Sequence, residues 1–459
     1  MRQPKKPPSL AKILTTENKQ DPEILFRAGK PEIRALVERA NDNAWNFEDC
    51  GYRAPTVGLT PNQLWLFVKV SRLSDRRDVP LLDKNSRPFT YRLPPESQRI
   101  LHRIDTNLGG TIESSFPQIE SHEDRQRYLI TSLTEEAIAS SQIEGAAVTR
   151  EAAKEMLRSQ RPPRDAHERM ILNNYQTIRM LNHRRIESLT PELLLEIQRQ
   201  LTEGTMEKPD AAGRFRRASE DIYVWDDEDG ERLHTPPAAE ELSKRIDALC
   251  AFANADGSKD GSTFIHPSVR AIILHFWLGF DHPFCDGNGR TARALFYWSM
   301  LRSGYWLVEY LTISSIIRGQ RKEYARAYLN TEVDDNDLTY FIMYHLQVID
   351  RSINEFRAYL DRKLSERKRL AAVIVPAIFN PRQQAILRKA LRDPAAVFSY
   401  ESHAASSGIS LATARADLLN LEKRKLLRGN RVGRRFEFIT ETGLEDRLRK
   451  LATRSERSG

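Results

Sequence analysis

The residues best equipped for chemistry crowd into one short run, Asp281 to Arg293, which reads DHPFCDGNGRTAR. His282 titrates near neutrality and suits the removal of a proton from an incoming hydroxyl. Asp286 is a lone carboxylate of the kind that joins substrate phosphates in holding Mg²⁺. Gly287 and Gly289 flank Asn288 in a DGNG loop. Its glycines permit positive φ and leave amides exposed, and it leads into a helix N-terminus, which favours anions. Arg290 and Arg293, three apart, share one face of the first helical turn, where they oppose the helix dipole and repel each other. An anion relieves both costs. Two rival chemistries fit less well. The spacings of His266, His275 and His282 match no zinc pattern, and Cys285 lacks an obvious His/Asn partner set for a nucleophile.

The elements that must position this run are helical. The apolar residues Ile272, Ile273, Leu274, Phe276, Trp277 and Phe280 form a helix that must stop by His282, because Pro283 disfavours helical geometry in the residue before it. A second helix runs from about Gly289 through Leu295, Phe296 and Trp298.

The run resembles the signature of the Fic (filamentation induced by cAMP) family, HPFx[DE]GN[GK]R, and matches it at every specified position. The resemblance implies transfer of AMP from ATP, with Mg²⁺, to a Ser, Thr or Tyr hydroxyl of a target protein. It makes His282 the general base and Asp286 the Mg²⁺ ligand. Asn288 and the amides about Gly287 and Gly289 would support the α phosphate, and Arg290 and Arg293 the β and γ phosphates. Phosphoryl-type transfer needs chiefly positioning and charge stabilisation, so the residue types agree. Tyr324 and Tyr328, four apart on one helix that Ser314 or Ser315 can cap, would border the adenine; as residues alone they serve equally well as core tyrosines. Transfer of UMP, phosphate or phosphocholine stays open, as does a DNA-binding regulator that senses nucleotide.

Upstream lies TSLTEEAIASSQIEG, in which Ser140 and Glu144 fall one helical turn apart and Gly145 ends the helix. By themselves these residues describe an ordinary solvated face. The resemblance instead makes residues 131–145 an inhibitory helix of the pattern [ST]xxxE[GN]. If Glu144 reaches Arg293, it occupies the arginine that the γ phosphate needs and repels the nucleotide. Some family members also use this glutamate to remove AMP from the modified target, so a bifunctional enzyme is an alternative.

At 459 residues the chain has room for two or three domains, and its three cysteines, widely spaced and odd in number, argue for a reducing, cytoplasmic compartment. No apolar run approaches the roughly 18 residues of a membrane span. The expected fold class is mainly α: a Fic-type helical domain with a β-hairpin flap, plus a C-terminal winged helix. Residues 1–20 read as a disordered basic tail, 21–90 as a helical segment without recognisable chemistry, 91–365 as the Fic domain, and 376–459 as the winged helix-turn-helix. Asp221–Trp225 and Arg232–Thr235 form the expected flap, which can hold a target segment by strand addition. From Pro381 onward there are 17 Lys and Arg against 9 Asp and Glu, so this stretch carries the whole net charge of +8. The wing, with Arg428, Arg431, Arg434 and Arg435, and a recognition helix exposing Thr413 and Arg415, make DNA a candidate partner. A homodimer is open, and no membrane is expected.

Overall fold

The computed structural model describes residues 3–20, 24–110, 122–226, 230–255, 264–373, 378–393, 395–432 and 435–456. The first helices are α1 (Leu10–Gln20), α2 (Ile24–Arg27), α3 (Pro31–Asp42), α4 (Phe47–Arg53) and α5 (Pro61–Arg72). Thr60 and Gln63 form a capping box that starts α5. Leu64, Trp65, Phe67 and Val68 of α5 form a core with Ile33, Cys50 and, from α1, Ile13. The expected tail therefore differs from the structure: residues 10–20 are helical, because Leu10 and Ile13 fall at helical spacing and find an apolar surface on the rest of that cluster. Next come an antiparallel hairpin, β1 (Arg77–Leu82) and β2 (Pro88–Tyr91), and helix α6 (Pro95–Leu108).

The helices that frame the site follow: α7 (His122–Ile143), α8 (Arg150–Ser159), α9 (Ala166–His183) and α10 (Pro191–Thr202). Asp165 and Thr190 cap α9 and α10 by accepting from the third amide of each helix. The flap is short, with β3 (Val224–Trp225) paired antiparallel to β4 (Arg232–His234). Its tip, 227–229, lies outside the described residues. Then come α11 (Leu242–Asn254), α12 (Pro267–Asp281) and α13 (Asn288–Arg302). The last two are the hub of the fold. Almost every residue of both is buried, including Trp277 and Trp298 and, on α13, the charged Arg290 and Arg293.

The expected single helix from Ser314 through Tyr328 is two, α14 (Ile313–Gly319) and α15 (Arg321–Val333), separated at Gln320, whose φ of −133° leaves the helical range. The carboxylate of buried Glu136 on α7 accepts hydrogen bonds from the Ser314 amide at 2.9 Å and from the Ser314 hydroxyl. The long helix α16 (Thr339–Val373) starts at Asp337, whose carboxylate accepts from the Thr339 amide at 3.0 Å.

The chain divides into two compact units, 1–356 and 357–459. In the second, α17 (Pro381–Arg392), α18 (Tyr400–Ser407) and α19 (Leu411–Lys423) pack with a sheet of order β5-β7-β6 and a closing helix α20 (Leu444–Glu456). The strands are β5 (Val397–Ser399), β6 (Leu427–Val432) and β7 (Arg435–Thr440), so Gly429 and Asn430 lie within a strand rather than at its turn. Thr413 is half-buried, with its hydroxyl 2.9 Å from that of Ser410, whereas Arg415 is exposed as expected. Arg434 falls outside the described residues. Among the described residues no helix is long and apolar enough to cross a membrane.

Candidate active site

Helix α12 ends where Pro283 requires, and His282 caps it in the left-handed region at φ 45°, an uncommon conformation for a residue with a Cβ. Arg216 holds it there. Its Nε donates to the His282 carbonyl at 2.8 Å, its Nη2 to the Pro237 carbonyl at 2.5 Å, and its backbone amide to the Pro283 carbonyl at 2.8 Å. His282 Nδ1 lies 3.2 Å from the Gly279 carbonyl, an acceptor, so Nδ1 carries the proton and Nε2 keeps its lone pair. Burial pushes its pKa down to about 4, so the imidazole is neutral at pH 7.

The loop after it is tied from within. The Asn288 carboxamide accepts from the Phe284 amide at 2.9 Å and donates to the Phe284 carbonyl at 2.8 Å. Gln198 on α10 donates to the Asp286 carbonyl at 3.1 Å and accepts from the Gly213 amide at 2.6 Å. Gly287, at φ 81°, caps α13; a Cβ there would also meet Thr202 Cγ2 at 2.6 Å. Burial and the Glu220 carboxylate push the Cys285 thiol up to about 11, which opposes a role as nucleophile.

The two arginines part company. Arg290, 1% exposed, donates to the Leu201 carbonyl and to Asp286 Oδ2, each at 3.0 Å, which braces the acid from beneath the loop. Arg293 points the other way, donating from Nε to Ser140 Oγ at 2.9 Å, and from Nη2 to the Ser140 carbonyl at 3.0 Å and Glu144 Oε1 at 2.8 Å. Among the described residues its buried Nη1 has no hydrogen-bond partner. Helix α7 ends at Ile143, Glu144 stands in the turn beyond it, and Gly145 reverses the chain at φ 92°. Burial opposes ionisation of Glu144, but the Arg293 and Arg290 guanidinium groups outweigh it and hold the carboxyl below its usual range. A Cβ on Gly289 would sit 2.4 Å from Glu144 Oε1 and 3.2 Å from Arg293 Nη1. Glycine is therefore what lets a carboxylate, or another anion, rest on the first turn of α13.

These groups open on a cavity of about 230 Å³. Glu144, His282, Gly289 and Arg293 line one side, His234 and Val224 of the flap another, and Tyr324 and Tyr328 the wall. Tyr324 Oη lies 2.8 Å from His275 Nε2. Asp286, Asn288 and Arg290 stand outside this lining. Asp286 is half exposed, a single carboxylate suited to a Mg²⁺ that keeps water and phosphate as its other ligands. Among the described residues no cluster of three or more His, Cys, Asp or Glu forms a protein cage for a metal.

Residues 188–300, which contain the loop and both of its helices, match the family model described as Fic/DOC family. This segment is a Fic domain. Over 172 residues the chain is 34% identical to "Protein adenylyltransferase Fic" of Nematostella vectensis, a match covering 38% of this chain and 35% of that protein. Over 166 residues it is 30% identical to the protein of the same name from Culex quinquefasciatus, covering 36% and 29%. The match thus spans about a third of the length of these relatives. A Fic family protein from Desulfovibrio desulfuricans G20 superposes with a TM-score of 0.52 at 20% identity, over 77% of this chain and 98% of that one, which shows the shared fold. Of the residues singled out in the sequence, His282, Gly289, Arg293, Glu144 and Tyr324 line this cavity together, and Ser140 bonds Arg293. Gln198, Arg216, His234 and Glu332, which also hold the loop and the flap, were not singled out, and no local pattern marks them.

Proposed function

We propose that the chain is an autoinhibited protein adenylyltransferase that moves AMP from ATP to a hydroxyl of a target protein and releases pyrophosphate. The observation that carries this is a neutral histidine whose Nε2 keeps its lone pair, beside a glycine-lined helix N-terminus whose arginine is already paired with a carboxylate. The names of the relatives agree. His282 Nε2 takes the target hydroxyl proton as that oxygen bonds the α phosphorus and the bond to the pyrophosphate oxygen breaks. The amides of the first turn of α13 face the phosphates, and Arg293 meets the terminal ones once Glu144 withdraws. Asp286, braced by Arg290, would hold the Mg²⁺ that neutralises charge on the leaving group. Tyr324 borders the base, and the flap holds the target segment by strand pairing.

The seating of Glu144 on Gly289 and Arg293 supports inhibition, because the carboxylate stands where phosphates must lie. α-Labelled ATP with Mg²⁺ and cell lysate tests the whole reading. Label should pass to protein with Glu144→Gly and vanish when His282→Ala is added; no label with either protein would overturn AMP transfer. Three free cysteines, two of them buried, support a cytoplasmic setting.

The second unit supports a further reading, a winged helix that binds DNA. Arg428 and Arg431 on β6 and Arg415 on α19 are exposed, and Ser410 caps α19. Replacing Arg428 and Arg431 by Ala should flatten the slope of log binding against log salt by about two on duplex DNA. Absence of any salt-dependent binding by the unaltered chain would rule this out.

A further inference from the structure

The flap strand β4 ends on His234, which is buried and borders the cavity. Its Nδ1 lies 2.8 Å from Glu332 Oε2 on α15, and its Nε2 lies 2.8 Å from the Phe280 carbonyl oxygen in the last turn of α12. A carboxylate and a carbonyl only accept, so both ring nitrogens must carry protons for both contacts to be hydrogen bonds. That is an imidazolium. The Phe280 carbonyl belongs to the last turn of α12, where carbonyls lack helical partners and concentrate the negative end of the helix dipole. A cation suits that position, and it stands two residues before His282.

We infer that His234, as an imidazolium, is a positioning residue that fastens the flap to the end of α12, so that a target segment paired with the flap presents its hydroxyl to His282. The inference rests on the flap's role in the proposed adenylyl transfer. The surrounding charges favour it. Glu332 from α15 is the direct partner, and Asp281 at the end of α12 adds negative charge while itself pairing with Arg245 of α11 at 2.6 Å. Against these stands burial, while the neighbouring His282 is neutral and adds no charge. Burial lowers the His234 pKa, but Glu332 and the Phe280 carbonyl outweigh it, and the value rises above 6.5. A raised value in the folded state means that the fastening is complete below the ordinary histidine range and is lost as pH rises through the folded pKa.

The test has two arms. In the first, the charge state is read from the ¹⁵N shifts of the imidazole, assigned by their disappearance in His234→Gln. Both nitrogens should be protonated at pH 6 and titrate above the ordinary histidine value; a neutral tautomer at pH 6 would overturn the inference. In the second, Glu332→Gln should raise hydrogen exchange at the β3 and β4 amides. In a Glu144→Gly background it should also raise KM for the protein target on the order of tenfold with kcat nearly unchanged. Unchanged flap exchange in a folded Glu332→Gln protein would equally overturn it. If Glu144→Gly labels nothing, the transferase reading fails, while the nitrogen shifts and amide exchange still decide the role of His234.

Discussion

Replacing Glu144 by Gly should turn a nearly silent enzyme into an active one, and the structure sets the scale. Glu144 Oε1 and Arg293 Nη2 are 2.8 Å apart, with the arginine 4% and the glutamate 25% exposed. A hydrogen bond between charged groups at that burial contributes about 1.5–3 kcal/mol, so terminal phosphates that must displace it lose about 10- to 150-fold in occupancy of Arg293. Repulsion between the carboxylate and the phosphates adds to this. The rate of α-labelled AMP transfer should therefore rise by at least that factor in Glu144→Gly. Glu144→Gln, which keeps the shape and removes the charge, should recover part of it. Arg293 keeps its two bonds to Ser140, so the Glu144→Gly protein should lose about 1–3 kcal/mol of stability without nucleotide and regain it with ATP. Equal labelling by wild type and a folded Glu144→Gly protein would refute the argument.

The acid limb of kcat/KM for Glu144→Gly should fall at or below about 4 rather than near 6.5, because burial depresses the His282 pKa, loss of the Glu144 charge that raises it lowers it further, and the base is lost only as pH drops through it; a rate series across pH reads this directly. In the wild type, mild acid should not raise AMP transfer, since Glu144 is held below its ordinary value of 4.5 and its pairing with Arg293 is lost only as pH falls through that lowered value. Asn288→Ala should cost about 2–4 kcal/mol in urea unfolding, by leaving the buried Phe284 amide and carbonyl unpaired. Arg216→Ala should let His282 relax from its left-handed conformation and lower transfer about 100-fold with ATP binding unchanged by calorimetry, because a shift of about 1 Å at the base has that effect.

The sequence by itself determined what depends on neighbours along the chain. Pro283 ends α12, Gly287 starts α13, and Thr60, Asp165 and Thr190 cap their helices, each through backbone groups within a few residues. The DGNG loop leading into a helix N-terminus was likewise legible. Only the tertiary structure decided where the side chains turn. Arg290 and Arg293, read as a pair on one face, diverge because Leu201 and Asp286 capture one while Ser140 and Glu144 capture the other. Asn288 proves to bind its own loop, Arg216 to hold His282, and His234 to bridge Phe280 and Glu332. The helix at residues 10–20 needed the surface of its cluster, and a polar, basic start gave no hint of that partner. Periodicity and turn residues report local geometry; the partner of a buried charge is set by whichever segment packing brings alongside, from 66 residues away for the Arg216 bond to His282 to 153 for the bond of Arg293 to Ser140.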